Sequence, residues 1–436
     1  MMNRLYRLTL ALTAAAALAS PSVMAQNDME KKMPMPSGKP EGLKGKERME
    51  GMAGMRMKAI LGNWSANRES SGTSWQPDSS PMFMKPLHAF GGFEFGAMGT
   101  IQAGYVDDGG KRGDKGFFSN SMVMLMGRKD LGGGALGLHF MSSLDPILNG
   151  DHGVPNLFQN GFTVRGVDIS DRKDPHNFFA EIALSYSHPL SKDWDAFLYG
   201  GPVGEPALGN VMYLHRTSGL EIPEAPISHD WFDGSHISFG VATLGLVFKK
   251  KWKFEGSAFN SDEPTKHLYG IGRIALNSAS ARMSFNPSHD WSLSASYGYL
   301  KSEANEHRVT VSAAYSHNFN NGDNISATAY FGQNIVQESV NSNAWLAEAT
   351  YSHAKTSFFT RFERVDKPDL IDVPAGNYAI HKLLIGAVHN FYSKDQLEYG
   401  LGAYAGVYSF PSSLNAFYGK NPITFGVFLR IRPGKM

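Results

Sequence analysis

From about Phe90 onward, apolar and polar side chains alternate along most of the chain. The pattern is clearest in WSLSASYGY, where Trp291, Leu293, Ala295, Tyr297 and Tyr299 fall on one side and Ser292, Ser294, Ser296 and Gly298 on the other. Successive side chains of a strand point to opposite faces, so this stretch has one aromatic, apolar face and one small, polar face. The same division sets Val309, Val311, Ala313 and Tyr315 against Thr310, Ser312 and Ser316, and Trp345, Ala347, Ala349 and Tyr351 against Glu348, Thr350 and Ser352. Near the end, Phe425, Val427, Leu429 and Ile431 oppose Thr424, Gly426 and Arg430. A soluble β-sandwich also alternates, but its aromatic residues face a core and do not recur at both ends of nearly every strand. An apolar face toward lipid and a polar face toward a lumen predict an all-β, transmembrane antiparallel barrel.

Strands are predicted near 88–105, 119–128, 134–143, 176–188, 193–200, 235–248, 251–260, 272–285, 290–301, 306–318, 323–334, 343–353, 356–366, 378–390, 396–408 and 421–432. That is about sixteen strands, within a range of roughly 14–18. The connections alternate in length, with tight turns at HPLSKD, KKK, NPSHD, NFNNGDN, HAK and FYSKD. Short periplasmic turns and long outer loops produce this rhythm, and an even count puts both termini in the periplasm. The loops containing Asp151 and Glu221 are then expected outside the cell.

The N-terminus has a different character. Arg4 and Arg7 precede an apolar run from Leu8 to Ala19, followed by Val23-Met24-Ala25, which reads as a secretory signal cut after Ala25. The run falls short of the roughly 20 residues a membrane helix needs. Residues 26–85, rich in Met, Lys, Gly and Pro, are expected to be largely disordered on their own, as a periplasmic segment able to plug the barrel. Trp75, Pro77 and Pro81 nevertheless sit in a polar setting that suggests a fixed loop. Residues 86–436 form the expected barrel.

Composition then excludes several classes. The 47 Gly, 17 Tyr and 28 Phe suit strands facing lipid on one side and water on the other. Without cysteine there are no disulfides or thiolate ligands. The balance of 41 basic and 40 acidic residues gives no reason to expect nucleic acid.

Several blocks, RESSGTSWQPDSSPM at 68–82, FFSNSMVMLMGRKDLGGGALGL at 117–138, DRKDPHNFFAEIALSYSHPL at 171–190, GEPALGN, and HRTSGLEIPEAPISHDWFDGSHISFGV, resemble a family of bacterial outer-membrane proteins. The resemblance covers most of residues 68–300. It implies a barrel and a loose association with copper resistance, and it brings no catalytic residues. A Met-rich N-terminus before a barrel is also similar in layout to the copper-resistance outer-membrane proteins of the B type, whose barrel motifs are not found here.

Three residue sets are candidates for chemistry. Met29, Met33, Met35, Met49, Met52, Met55 and Met57 offer thioether sulfurs, soft ligands suited to Cu(I), although Lys31, Lys32 and Lys58 would repel a cation. His152, His176, His215, His229 and His236, with nearby carboxylates, offer ordinary ligands for Zn or Cu but no tight ligand spacing. Glu94, Glu181, Lys253, Glu255, Arg282, Glu348, Arg361, Glu363, Glu398 and Arg430 face the lumen by alternation, as paired wall charges, a selectivity lining, or both. No GxSxG, HExxH or GxxxxGK[ST] motif supports catalysis, so no enzyme is expected. The sequence predicts a porin-like channel or barrel for small polar solutes or metal ions. The alternative is a copper-sequestering protein that uses the tail methionines and loop histidines without conducting. Expected partners are outer-membrane lipid, the barrel-assembly machinery, and a solute or metal ion, with copper as a possible cofactor.

Overall fold

A computed structural model describes residues 58–164, 167–233, 235–262, 268–301, 305–337 and 339–436. In chain order the strands are β1 (Met84–Phe90), β2 (Phe93–Asp108), β3 (Lys115–Leu131), β4 (Gly134–Ser142), four short pieces β5 (Val154–Pro155), β6 (Gly161–Val164), β7 (Val167–Ile169) and β8 (Arg172–Lys173), then β9 (Phe179–Pro189), β10 (Trp194–Val203), β11 (Val241–Phe248), β12 (Trp252–Phe259) and β13 (Ser278–Ser288). The last eight are β14 (Trp291–Lys301), β15 (Asn305–Asn318), β16 (Asn324–Val336), β17 (Ser342–His353), β18 (Thr356–Lys367), β19 (Tyr378–Lys394), β20 (Leu397–Ser409) and β21 (Ile423–Pro433).

Each long strand pairs antiparallel with the next, and β21 returns to pair with β2 from Ile101↔Ile431 to Asp108↔Thr424. This closes a barrel of sixteen strands, β2 to β4 and β9 to β21. Closure leaves no unpaired sheet edge, the condition for a sheet to cross a bilayer. β1 pairs with the first half of β2, from Met84↔Met98 to Phe90↔Phe93, where β21 does not reach. The predicted strand at 88–105 is therefore a hairpin folded at Gly91-Gly92, both at positive φ. Glycine takes that conformation without steric cost.

Outward residues are apolar and open: Leu198, Leu244, Ile385 and Leu429 are each more than half exposed. Water would disfavour such a continuous band, whereas lipid matches it, so the chain is an outer-membrane barrel. One barrel end carries short turns such as Gly132-Gly133 and Asp395-Gln396, all four residues at positive φ as two-residue hairpin turns require, and the three-residue turn 249–251, in which Lys249 and Lys250 are at positive φ. The other end carries the long connections, including 143–178 and 204–240.

Three predicted strands start too early. β9 begins at Phe179 rather than near 176, β11 at Val241 rather than near 235, and β13 at Ser278 rather than near 272. His176 and His236 thus belong to the long connections, which turn into the barrel. Alternation cannot mark that departure, because a segment entering a polar lumen stays partly buried and mixed in polarity.

Candidate functional site

Sixteen-stranded barrels ordinarily enclose an aqueous lumen. Here residues 59–83 and much of the connections 143–178 and 204–240 lie inside the wall and are largely buried. Backbone placed there has no ladder to join, and a buried unpaired N–H or C=O is costly. The inner wall supplies the partners. Ser257 and Ser296 hydroxyls accept from the Ala207 and Gly209 N–H groups, both at 2.8 Å. Thr350 donates to the Ser218 carbonyl, Gln102 to Leu220 and Asn120 to Pro223. Gly209 sits at φ 79°, and a Cβ there would stand 2.0 Å from the Phe232 carbonyl oxygen. Only glycine allows these two parts of the inner loop to approach so closely.

The segment before the barrel is fixed by the same means. Arg68 and Asp78 pair at 2.6 Å across its loop, and Trp75 is buried between the Arg68 guanidinium and the Lys253 ammonium, 4.6 and 4.8 Å from its ring. Arg282 donates to Thr73 and Ser74, and Asn286 to the Gln76 carbonyl. Glu69 folds the start of the segment by accepting from the Ile60 and Leu61 N–H groups. Burial pushes its carboxyl above the ordinary range.

Electrostatics divides the interior into sectors. On β18, β19 and β21, the buried cations Arg361, Lys367, Lys382, Arg430 and Arg432 form an arc of the inner wall. Against it lies segment 221–230 of the inner loop. Glu221 pairs with Arg430 and with Arg432 (2.7 Å), Glu224 pairs with Lys382, and Asp230 stands 3.9 Å from Lys367. Arg361 donates to the Glu224 carbonyl. The charge order reverses beside it, where Arg216 of the loop meets wall Glu348 at 2.6 Å and Glu348 also holds Arg361 at 2.9 Å. Such pairs exist only because each charge is matched, since an unpaired charge in this setting is strongly unfavourable. Elsewhere burial raises the Glu205 carboxyl to about 7, with Ser74 donating to it at 3.0 Å.

Three histidines meet where the two long connections touch. The rings of His176, His229 and His236 have centroids 5.1 Å (229–236), 5.2 Å (176–236) and 6.5 Å (176–229) apart, with Tyr213 beside them. Asp233 lies within this group. Burial pushes its carboxyl up, but His229 and Arg216 more than offset that and hold it well below the carboxylate range. His215 is separate, with Nε2 3.1 Å from the Met141 sulfur, and burial lowers it to about 4. His152 is exposed. The tail methionines at 29–57 lie outside the described residues.

Of the residues assigned to the lumen, Glu181, Lys253, Glu255, Arg282, Glu348, Arg361, Glu363 and Arg430 are buried inside the wall, and Glu398 is half-buried beside Arg432. Glu94 is exposed near the tight-turn end. Sequence reasoning missed Lys382, Lys367 and Arg432. Their inward parity on β19, β18 and β21 was readable from the same alternation. It also missed Arg216, for which a loop offers no periodicity. The loop containing Glu221 does not extend outward as expected, because its acidic residues find wall cations. Cavities of about 20 Å³ beside His176 and 30 Å³ beside His215 have room for a water or two, too little for a solute.

No family model and no curated relative matches the sequence. Solved structures do match in fold. The high-pH structure of Pseudomonas putida OprB aligns at 12% identity over 78% of this chain and 94% of its own, with a TM-score of 0.50. Salmonella typhi OmpF in complex with daunomycin aligns at 9% over 79% and 100% (TM-score 0.49), and an anion-selective porin from Comamonas acidovorans at 12% over 78% and 99% (TM-score 0.47). At these identities the likeness is one of architecture, an outer-membrane porin-like barrel.

Proposed function

We propose that this chain is a channel, not an enzyme, that passes small anionic solutes and is held shut by its own acidic loop. One observation carries the reading. Segment 221–230 sets Glu221, Glu224 and Asp230 against an arc of five wall cations. Without that segment, the carboxylates near the arc are Glu348 (2.9 Å from Arg361), Asp369 (3.7 Å from Lys367), Asp108 beside Lys382, Glu363 and Glu398, while Lys382, Arg430 and Arg432 lose their loop partners. Rings and rows of fixed charge set the selectivity of pores, and in a narrow low-dielectric passage guanidinium and ammonium groups that have lost their loop partners concentrate anions. The loop carboxylates thus occupy the positions that solute carboxylates or phosphates would take. The copper-sequestering alternative rests chiefly on tail methionines outside the described residues.

Planar-bilayer recording tests the proposal. The full chain should be silent or rarely open, and a variant with 207–237 replaced by a short Gly-Ser linker should conduct in steps. Its reversal potential in a salt gradient should show anion preference. Silence from a folded deletion variant would overturn the reading that the acidic loop holds the channel shut, while cation preference would remove the solute class.

A further inference from the structure

We infer that His176, His229 and His236 form a binding site for a divalent transition-metal ion of the zinc class, joining the two infolded connections from inside the barrel. This goes beyond conduction and does not depend on it.

Two of the three rings are hydrogen-bonded at Nδ1, and the third, His229, has a carboxylate against the same nitrogen without hydrogen-bond geometry. His176 Nδ1 is 2.8 Å from Asp145 Oδ2, His229 Nδ1 is 2.7 Å from Asp233 Oδ1, and His236 Nδ1 donates to the Asp233 carbonyl. Metal-bound histidines almost always show this pattern, with the non-ligating N–H held by a carboxylate or carbonyl that fixes tautomer and orientation. In His176 and His236 the anchoring leaves Nε2 as the ligating atom. In both rings that atom is buried and has no hydrogen-bond partner. Two orphaned acceptors on adjacent rings are expensive in a packed interior, and a metal ion would satisfy both.

The spacing also fits. With metal–nitrogen bonds of about 2.0–2.1 Å, imidazoles sharing one tetrahedral ion have ring centroids about 5 Å apart. The 229–236 and 176–236 pairs already stand at 5.1 and 5.2 Å, whereas the 176–229 pair is wider at 6.5 Å. No group of three or more His, Asp or Glu side chains among the described residues is already placed to hold a metal ion. Ligation would therefore draw the connection carrying His176 toward the other, closing the wide pair. The ionic surroundings permit it. Asp145 and Asp233 put two carboxylates behind the rings, the adjacent Lys173 and Asp174 pair with each other at 2.7 Å, and Arg216 is shared with Glu348. Three neutral imidazoles leave a fourth position for water, and imidazole ligands suit Zn²⁺, Cu²⁺ and Ni²⁺.

The test uses full-length protein in detergent without a histidine tag. Zn²⁺ and Co²⁺ are the probes, because neither is soft enough to favour the tail thioethers. One equivalent of Zn²⁺ should bind and displace Co²⁺, whose visible absorption should show tetrahedral coordination. His176→Gln and His236→Gln should each abolish that absorption. Asp145→Asn, which leaves all three ligands in place, should weaken binding about 10–100-fold. His152→Gln should change nothing. Heat-modifiable gel mobility establishes that each variant is a folded barrel. If a glutamine variant fails to fold, the Asp145→Asn titration and the Co²⁺ spectrum of the unaltered protein decide. Absence of a stoichiometric equivalent at micromolar metal, or binding unchanged by His176→Gln or Asp145→Asn, overturns the site. Neither result touches the bilayer recordings that test conduction.

Discussion

The wall and its filling satisfy their polar groups in opposite ways. In the wall every strand pairs with two neighbours, so backbone partners come from geometry alone and the outward side chains need only be apolar. In the filling, backbone groups find partners one at a time from wall side chains such as Ser257, Ser296 and Thr350, and each charge depends on a particular opposite charge. The wall therefore tolerates exchange among residues of one class, whereas the filling depends on individual residues. The inner serines belong to both systems, because they complete the small polar face of the strand and also hold the loop.

The sharpest way to break this contrast is to remove a charge shared by both parts. Glu348→Ala strips the partner from wall Arg361 and loop Arg216 together, and removing one member of a buried ionic network costs about 3–5 kcal/mol. The denaturation midpoint of detergent-folded protein should fall accordingly. A loss under about 1 kcal/mol would show that the loop is hydrated and only loosely seated, by the standard of exposed ion pairs. On the lipid side, Leu293→Arg should cost about 2–4 kcal/mol if the position lies near the bilayer midplane, while Leu293→Phe should be nearly neutral. Equal losses from the two would mean that Leu293 is packed against protein instead of lipid.

What was legible in the sequence follows the same division. The strands β14, β15, β17 and β21 were readable because period-two alternation reflects a physical boundary between lipid and lumen. Turn positions such as Lys249-Lys250 were readable from spacing. The filling was not, since segment 221–230 has no period and its inward path depends on cations as far away in sequence as Arg430. The five histidines of the connections were named together from composition alone. Structure separates the exposed His152 and the thioether-bound His215 from the three that meet, and the anchoring residue Asp145 carried no sequence signal.

A finer comparison uses two serines of one strand face. Ser294 and Ser296 are both buried and inward, but Ser296 accepts from the Gly209 N–H while the Ser294 hydroxyl has no partner. Ser296→Ala should cost about 1–3 kcal/mol by leaving that N–H unsatisfied, and Ser294→Ala should stay within about 0.5 kcal/mol. Similar small losses at both positions would mean that the loop backbone finds water instead.

A further effect lies in a pH profile. Glu205 belongs to the filling, and burial raises its carboxyl from 4.5 to about 7. Between those values the folded protein keeps a proton that the unfolded chain has already released, so by linkage this group makes the folded state less stable as pH rises from about 4.5 to about 7, with no further change above. Glu205→Gln replaces the protonated carboxyl with a neutral group of similar shape that can still accept from Ser74. At pH 4.5 the variant and the parent should therefore differ by no more than about 0.5 kcal/mol. At pH 8 the variant should be the more stable relative to its parent, because it has no charge to bury. Urea midpoints of the two proteins, measured in the same detergent at both pH values, give the comparison directly. A difference that does not change with pH would place Glu205 in water, and the loop that carries it outside the packed lumen.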